Sequence, residues 1–360
     1  MTPRPLAGRR VIDLSQYIAG PACGQLLADF GADVIKVEPL RGDPSRLLGD
    51  TGEGSVYYRQ YNTGKQSIRL DIADAAGRAE LERMLDDADA VIMNFAARTR
   101  AKLGLDWETL HARHPGLVVT IVSAYGIDDP RTALDAVVQA DSGFAMLNAD
   151  ADGSARISSG YPTDVFTGLY AGISTAMALT DAARGGGMLI DVPMIEVALS
   201  ALCGPATLTV SDGAPPPVGS GSRDIATAPS TVFEAADGPV YIYAGLDKTW
   251  DEVRMLSSAP DGPLAERLGD RARFEQPLAE WASRRTADEV LETMRGIGVA
   301  AAPVRTVDDA LAALHADRPG AVADIAATGR AVPQFPVTFS GGRIPRRDAM
   351  TDETNKESIA

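Results

Sequence analysis

The 360-residue sequence contains two cysteines, three histidines, and 34 basic against 49 acidic residues. Each shortage removes a class of explanation. Cys23 and Cys203 are too few for a disulfide framework and read as small buried hydrophobes rather than as a bridge. A net charge of −15 leaves no basic surface for tracking a phosphate backbone, so no nucleic-acid partner is expected. No run of about 18 uninterrupted apolar residues is present. The longest candidate, around Leu189–Val210, carries Asp191 and Glu196. The opening MTPRPLAGRR lacks the apolar segment of a secretory signal. The expectation is a cytoplasmic protein with no membrane partner. His111 and His114 lack a third ligand and read as a solvated surface pair, so no metal is expected. No G-x-S-x-G elbow accompanies them, and nucleophile or base chemistry therefore falls to carboxylates.

What is present is alternation. Short β-branched runs at Arg10–Leu14, Asp33–Glu38, Gln66–Leu70, Ala90–Met93 and Leu117–Ser123 read as buried strands. Stretches with helical spacing lie between them at Ala19–Phe30, Ala75–Asp87 and Trp107–Arg113. Strand, helix and strand within about thirty residues is a βαβ unit, and its repetition predicts an open, doubly wound, mainly parallel sheet. Such a start invites a dinucleotide fingerprint, but the turn Ser15–Pro21 holds Gly20 alone. No phosphate-loop signature appears, and Gly185–Gly187 reads as a tight turn.

Beyond Ser123, helices are expected at Ala136–Met146, Asp164–Thr180 and Met194–Ala201, with a strand at Met188–Val192. A linker at 214–224 separates a second unit, whose Asp237-Gly238 turn predicts a hairpin. Helices follow at Trp250–Ser257, Pro277–Arg284 and Thr286–Ile297, and the tail from Pro345 is weakly patterned. The expected organisation is a large Rossmann-like domain over 1–213 with 331–360, and a small α+β domain over 225–330.

One carboxylate stands out by position. Asp164 follows the loop Ser158–Thr163 at the start of a predicted helix, where free N–H groups and the helix dipole favour its charged form. It reads either as a helix N-cap or as an anionic nucleophile.

The segment Leu6–Arg46 carries Ala19–Pro21, Leu27–Glu38 and Gly42-Asp43…Arg46. Asn62–Leu70, Asn94-Phe95, Gly160…Asp164…Thr167-Gly168 and Asp191–Glu196 follow in order. Together these pieces resemble the class III CoA-transferases. The resemblance implies half of an interlocked homodimer, with an acyl-CoA and a small carboxylic acid as substrates and no permanently bound cofactor. Asp164 matches the family's aspartate, which takes up the acyl group as a mixed anhydride and then CoA as a thioester. The helix end would keep it ionised and lend N–H groups to an oxyanion. Ala19, Leu70, Asn94, Phe95, Lys102 and Asp135 match positions that contact the nucleotide or pantetheine arm; Arg46 and Arg41 would serve the phosphates. Departures are Ala96-Ala97-Arg98 in place of R-P-G, and Met350–Thr354 in place of L-G-E-H-T. Racemases of the same fold carry a histidine where this chain has Leu134, which cannot transfer a proton. A dehydratase, a lyase, a thioester hydrolase and a non-catalytic CoA-binding subunit are the remaining readings of the same fold.

Overall fold

The computed structural model describes residues 4–49, 55–181, 186–212, 219, 221–318, 320–325, 330–340, 342–346 and 351–352. Gly185, most of the 214–224 linker, and Met350, Glu353 and Thr354 of the tail lie outside them. The chain divides into two compact units. One comprises Met1–Ser142, Ser158–Ala206 and Asp317–Ala360; the other comprises Gly143–Ile157 and Thr207–Ala316.

In the first unit the elements run β1 (Arg10–Asp13), α1 (Ala19–Asp29), β2 (Asp33–Glu38), α2 (Val56–Asn62), β3 (Gln66–Arg69), α3 (Ala75–Asp86) and β4 (Ala90–Met93). Then come α4 (Ala97–Leu103), α5 (Trp107–Arg113), β5 (Val118–Ser123) and α6 (Asp135–Asp141). The four-residue helix α7 (Phe144–Leu147) falls in the second unit. The first unit resumes with α8 (Pro162–Thr180), β6 (Met188–Pro193) and α9 (Met194–Ala201). Strand order is β3-β2-β1-β4-β5-β6, with every pairing parallel. Thr351-Asp352 of the tail adds a further parallel pairing outside β3, an edge that the weak pattern of the tail did not announce.

Parallel strands buried on both faces explain why the runs are continuous rather than alternating in character. Val11, Val34, Ile92 and Val118 pack to one side with α1 and α8. Ile12, Val37, Val91 and Val119 pack to the other with α3 and α5. α1 and α8 approach closely because Gly168 and Gly172 have no side chain. A Cβ on Gly168 would stand 2.5 Å from the Ala22 Cβ and 2.8 Å from the Ala19 carbonyl oxygen, and one on Gly172 would meet Leu26 at 2.6 Å. Four residues along α8 thus correspond to four along α1, and Asp164, one turn before Gly168, comes level with the start of α1.

The expected helix Ala136–Met146 is broken. Gly143 adopts φ +84°, which glycine alone tolerates freely, and ends the α6 segment there. Cys23 is buried as expected, but Cys203 is exposed. His114 is also a correction: it is buried, with its ring nitrogens 3.2 Å from Glu82 and 3.4 Å from Asp86. Only His111 is solvated, stacked on Trp107.

The second unit is built on an antiparallel sheet. The Asp237-Gly238 signal falls where the hairpin of Ser230–Ala235 and Gly238–Tyr243 turns, and Ala300–Pro303 pairs outside the second strand. Phe233, Val240, Ile242, Trp250, Phe274 and Met294 form its own core. The helix Arg271–Ala282 contains Pro277 in its interior and begins a turn and a half before the expected start. A capping box of Thr286 and Glu289 opens the next helix, Ala287–Gly296.

Candidate active site

An open parallel sheet forms a crevice at the carboxyl ends of its strands, where the strand order reverses. Here that point lies between β1 and β4. The loop after β1 supplies Gln16, Tyr17 and Ala19; the loop after β4 supplies Asn94 and Phe95. A cavity of about 650 Å³ lies there, and Asp164 lines it together with all five of these residues. A second cavity of about 1200 Å³ shares Gln16 and Phe95 with it and reaches Arg41, Leu70 and Lys102. Of the residues singled out from the sequence, the structure therefore gathers Ala19, Asn94, Phe95 and Asp164 around one space, and Leu70, Phe95 and Lys102 around the adjoining one.

Asn94 acts on the loop itself. Its side-chain oxygen accepts from the Gln16 backbone N–H at 3.0 Å, and its amide donates to the Gln16 carbonyl at 2.8 Å. This reciprocal pair ties β4 to the turn that leads into α1. Next to it Tyr17 adopts φ +68°, and Tyr161, the N-cap of α8, adopts φ +52°. A strained non-glycine residue thus precedes the N-cap of α1 and forms the N-cap of α8, a feature that clusters at functional sites.

Two of the expected contacts are placed elsewhere. Arg46 donates to both oxygens of Glu38, at 2.7 and 2.6 Å, and lies over the Tyr58 ring. Asp135 lines neither cavity. It is buried at the start of α6, and one of its oxygens accepts from the Thr163 N–H at 2.8 Å, the Thr163 hydroxyl at 2.6 Å and the Asp164 N–H at 3.1 Å. Its other oxygen accepts from Gln139, which is held to Ser158 by bonds of 3.0 and 2.8 Å.

Asp135 therefore caps α8 from 29 residues upstream, and the reading of Asp164 as a plain N-cap does not hold. Two expectations for Asp164 change with it. The N–H groups of Thr163 and Asp164 already serve Asp135, and that of Val165 bonds Tyr161, so the first turn of α8 has none left for an oxyanion. Nor does the helix end hold Asp164 ionised. Its side chain is 7% exposed and accepts no hydrogen bond among the described residues. Burial, reinforced by the like charge of Asp135, pushes the carboxyl up from 3.8 to about 7.

Sequence reading did not single out Arg100 or Arg131, which line the same cavity. In the run ARTRAKL, Arg100 looks like one more solvated helix cation. It is instead buried and donates to the Phe95 carbonyl at 2.6 Å and to the Ile127 carbonyl. The Ile127 N–H is held from the other side by Asp191 at 2.8 Å. Arg131 pairs with Asp129 and stacks over Tyr125. Among the described residues, no group of three or more histidine, cysteine, aspartate and glutamate side chains is arranged to hold a metal ion. Among the described residues, no single helix is long and apolar enough to cross a membrane.

Comparison with known proteins gives this geometry its context. Residues 6–350 match the family model for CoA-transferase family III. The chain is 30% identical to a succinyl-CoA:mesaconate CoA-transferase of Haloarcula hispanica, over 94% of this chain and 92% of that protein. It is 31% identical to a succinate–glutarate CoA-transferase of Agrobacterium fabrum, over 86% and 82% respectively. Among solved structures, a CaiB/BaiF family protein from Brucella suis superposes with a TM-score of 0.84 at 30% identity, covering 97% of this chain and 96% of that one. A strand order with its crevice between β1 and β4, matched along nearly the whole chain by sequence and by fold, leads to one conclusion: the protein belongs to CoA-transferase family III.

Proposed function

We propose that the protein moves CoA from an acyl-CoA to a free carboxylic acid, with Asp164 as the nucleophile that carries first the acyl group and then CoA. The observation that carries this reading is a buried carboxylate without a hydrogen-bond donor, lining the cavity where the strand order reverses. A carboxylate raised to about 7 is more basic than an ordinary aspartate, and so more nucleophilic, while remaining substantially ionised at neutral pH.

The reaction balances without a cofactor. The Asp164 carboxylate attacks the thioester carbonyl; the C–S bond breaks and CoA leaves as thiolate, giving a mixed anhydride. The thiolate attacks the aspartyl carbonyl and releases the donor acid as its carboxylate, leaving an aspartyl-CoA thioester. The acceptor carboxylate then reverses both steps. One thioester is exchanged for another of similar energy, so neither ATP nor an electron carrier is required. Leu134 lines the same cavity, and no histidine does among the described residues, which supports transfer over two-base racemisation.

Several named relatives use succinyl-CoA, which favours a short dicarboxylyl group as the donor. Lys102 and Arg41 in the adjoining cavity suit the phosphates of CoA. The apolar stripe Phe166, Leu169, Tyr170, Ile173 and Met177 on α8 stands exposed at helical spacing, which supports pairing with a second copy of the chain. The test is to incubate the protein with succinyl-CoA and glutarate and separate the CoA esters by chromatography. Glutaryl-CoA is expected from the wild type and not from Asp164→Asn; equal exchange by both would overturn the role of Asp164.

A further inference from the structure

Asp135 and Asp164 are both buried, at 2% and 7% exposure, and no lysine or arginine forms an ion pair with either among the described residues. Asp135 is fixed by four donors: the Thr163 N–H, the Thr163 hydroxyl, the Asp164 N–H and the Gln139 amide. Each of these groups donates, so the Asp135 carboxyl serves only as an acceptor. Its charge thus stands within hydrogen-bond distance of the backbone of the nucleophile.

The other groups facing Asp164 do not offset it. Tyr61 of α2 and Tyr161 before α8 are phenols whose ionisation is pushed further up, by burial first. In the cavity Arg131 is paired with Asp129, and Arg100 donates to two carbonyls. Cys23 of α1, whose sulfur lies against the Thr175 hydroxyl of α8, is a neutral thiol.

We propose that Asp135 is a positioning residue whose fixed negative charge drives Asp164 toward its acylated, uncharged state. The inference rests on the aspartyl-CoA reading above. A carboxylate beside a like charge is relieved by gaining a proton, and equally by becoming an anhydride or thioester, because each removes the same charge. The bias toward protonation and the bias toward acylation are therefore one free energy seen through two ligands. Each pH unit by which Asp135 raises the midpoint of Asp164 corresponds to a tenfold gain in the equilibrium ratio of CoA-bearing to free enzyme.

The test uses Asp135→Asn, which keeps an oxygen for the three bonds to Thr163 and Asp164 but removes the charge. Two quantities are read. One is the pH midpoint of kcat/KM for the acyl-CoA. The other is the fraction of protein carrying covalent CoA by intact mass spectrometry at pH 8.5, with acyl-CoA and free acid at fixed ratio. The expected result is a midpoint below that of the wild type and a ratio of adduct to unmodified protein lower by tenfold for each unit of that fall. Asp135→Glu, which keeps the charge, is expected to hold both quantities within about threefold, or half a pH unit, of wild type. An unchanged midpoint in Asp135→Asn, or a lowered midpoint with an unchanged adduct, would overturn the proposal. If Asp135→Asn does not fold, a fall of the midpoint by a full unit in Asp135→Glu would overturn it instead. Absence of any adduct in the wild type would sink the aspartyl-CoA reading itself, a different failure from equal adducts in wild type and Asp135→Asn.

Discussion

Asp13 and Asp164 are both buried carboxylates at the carboxyl side of the same sheet, and their surroundings treat them oppositely. Around Asp13 the chain has placed Lys65, whose Nζ donates at 2.8 Å to Asp13, 2.8 Å to the Pro21 carbonyl and 2.9 Å to Asn62. Lys36 lies 3.9 Å from Asp13 and 2.9 Å from Asp43. Burial would raise the Asp13 carboxyl, but the two lysines outweigh it and hold it below the ordinary range. Lys65, pulled down by burial, is kept at about 8 and so stays protonated at neutral pH. Nearby Glu38, bound by Arg46, Ser67, Tyr58 and the Asp43 N–H, is held at about 2 against its own burial. Asp164 has Asp135 where Asp13 has lysines. A buried charge that is matched stiffens the scaffold; a buried charge left unmatched beside a cavity is available for chemistry.

The sharpest way to break that contrast is to remove each charge. Asp164→Asn is expected to lower CoA exchange by at least about a thousandfold, measured by steady-state kinetics, because the carboxylate proposed to attack the thioester is gone. Lys65→Met leaves Asp13 buried with only the distant Lys36, and is expected to lower stability by about 3–5 kcal/mol in urea titration. Asp164→Asn should do the reverse. The folded carboxyl, at about 7, lies above its ordinary 3.8, so its stabilising contribution is complete below pH 3.8 and is lost as pH rises through about 7. At pH 8 the variant is expected to be the more stable protein, by up to about 4 kcal/mol, with the gap closing toward pH 4. Glu38 has the opposite sign: its contribution is present above 4.5 and lost as pH falls toward 2, so acid unfolding begins on the matched side. Gly168→Ala forces a methyl against Ala22 and the Ala19 carbonyl, and is expected to cost about 1–3 kcal/mol while shifting Asp164 from the start of α1. The mildest effect is on rate with pH: kcat/KM should rise between pH 6 and 8 around a midpoint near 7, as the carboxylate form of Asp164 fills.

Much of the scaffold was legible because parallel strands must be apolar along their length and helices must recur at 3.6 residues. The crevice followed from that alternation, and Asp164 from its place after a glycine- and serine-rich loop. What escaped depended on contacts distant in sequence. The resemblance offered Asp135 as a CoA contact, and nothing local to it shows that it also bonds the start of a helix 27 residues later. The resemblance likewise offered Arg46 for the phosphates, and no local pattern shows that it pairs with Glu38. The sequence reading of Asp164 used the dipole and neglected burial, since exposure cannot be read from a loop composition. Helices α2 and α4 were not among the expected elements, although α5, equally seven residues long, was.

The most direct test of the central claim is chemical. Wild-type protein turning over succinyl-CoA with an acceptor acid is treated with hydroxylamine, which converts an activated aspartyl carbonyl to a hydroxamate, and is then mapped by peptide mass spectrometry. The account predicts a hydroxamate at Asp164 that appears only when acyl-CoA is present. A hydroxamate at another residue, or none at all in a preparation that exchanges CoA, would contradict it.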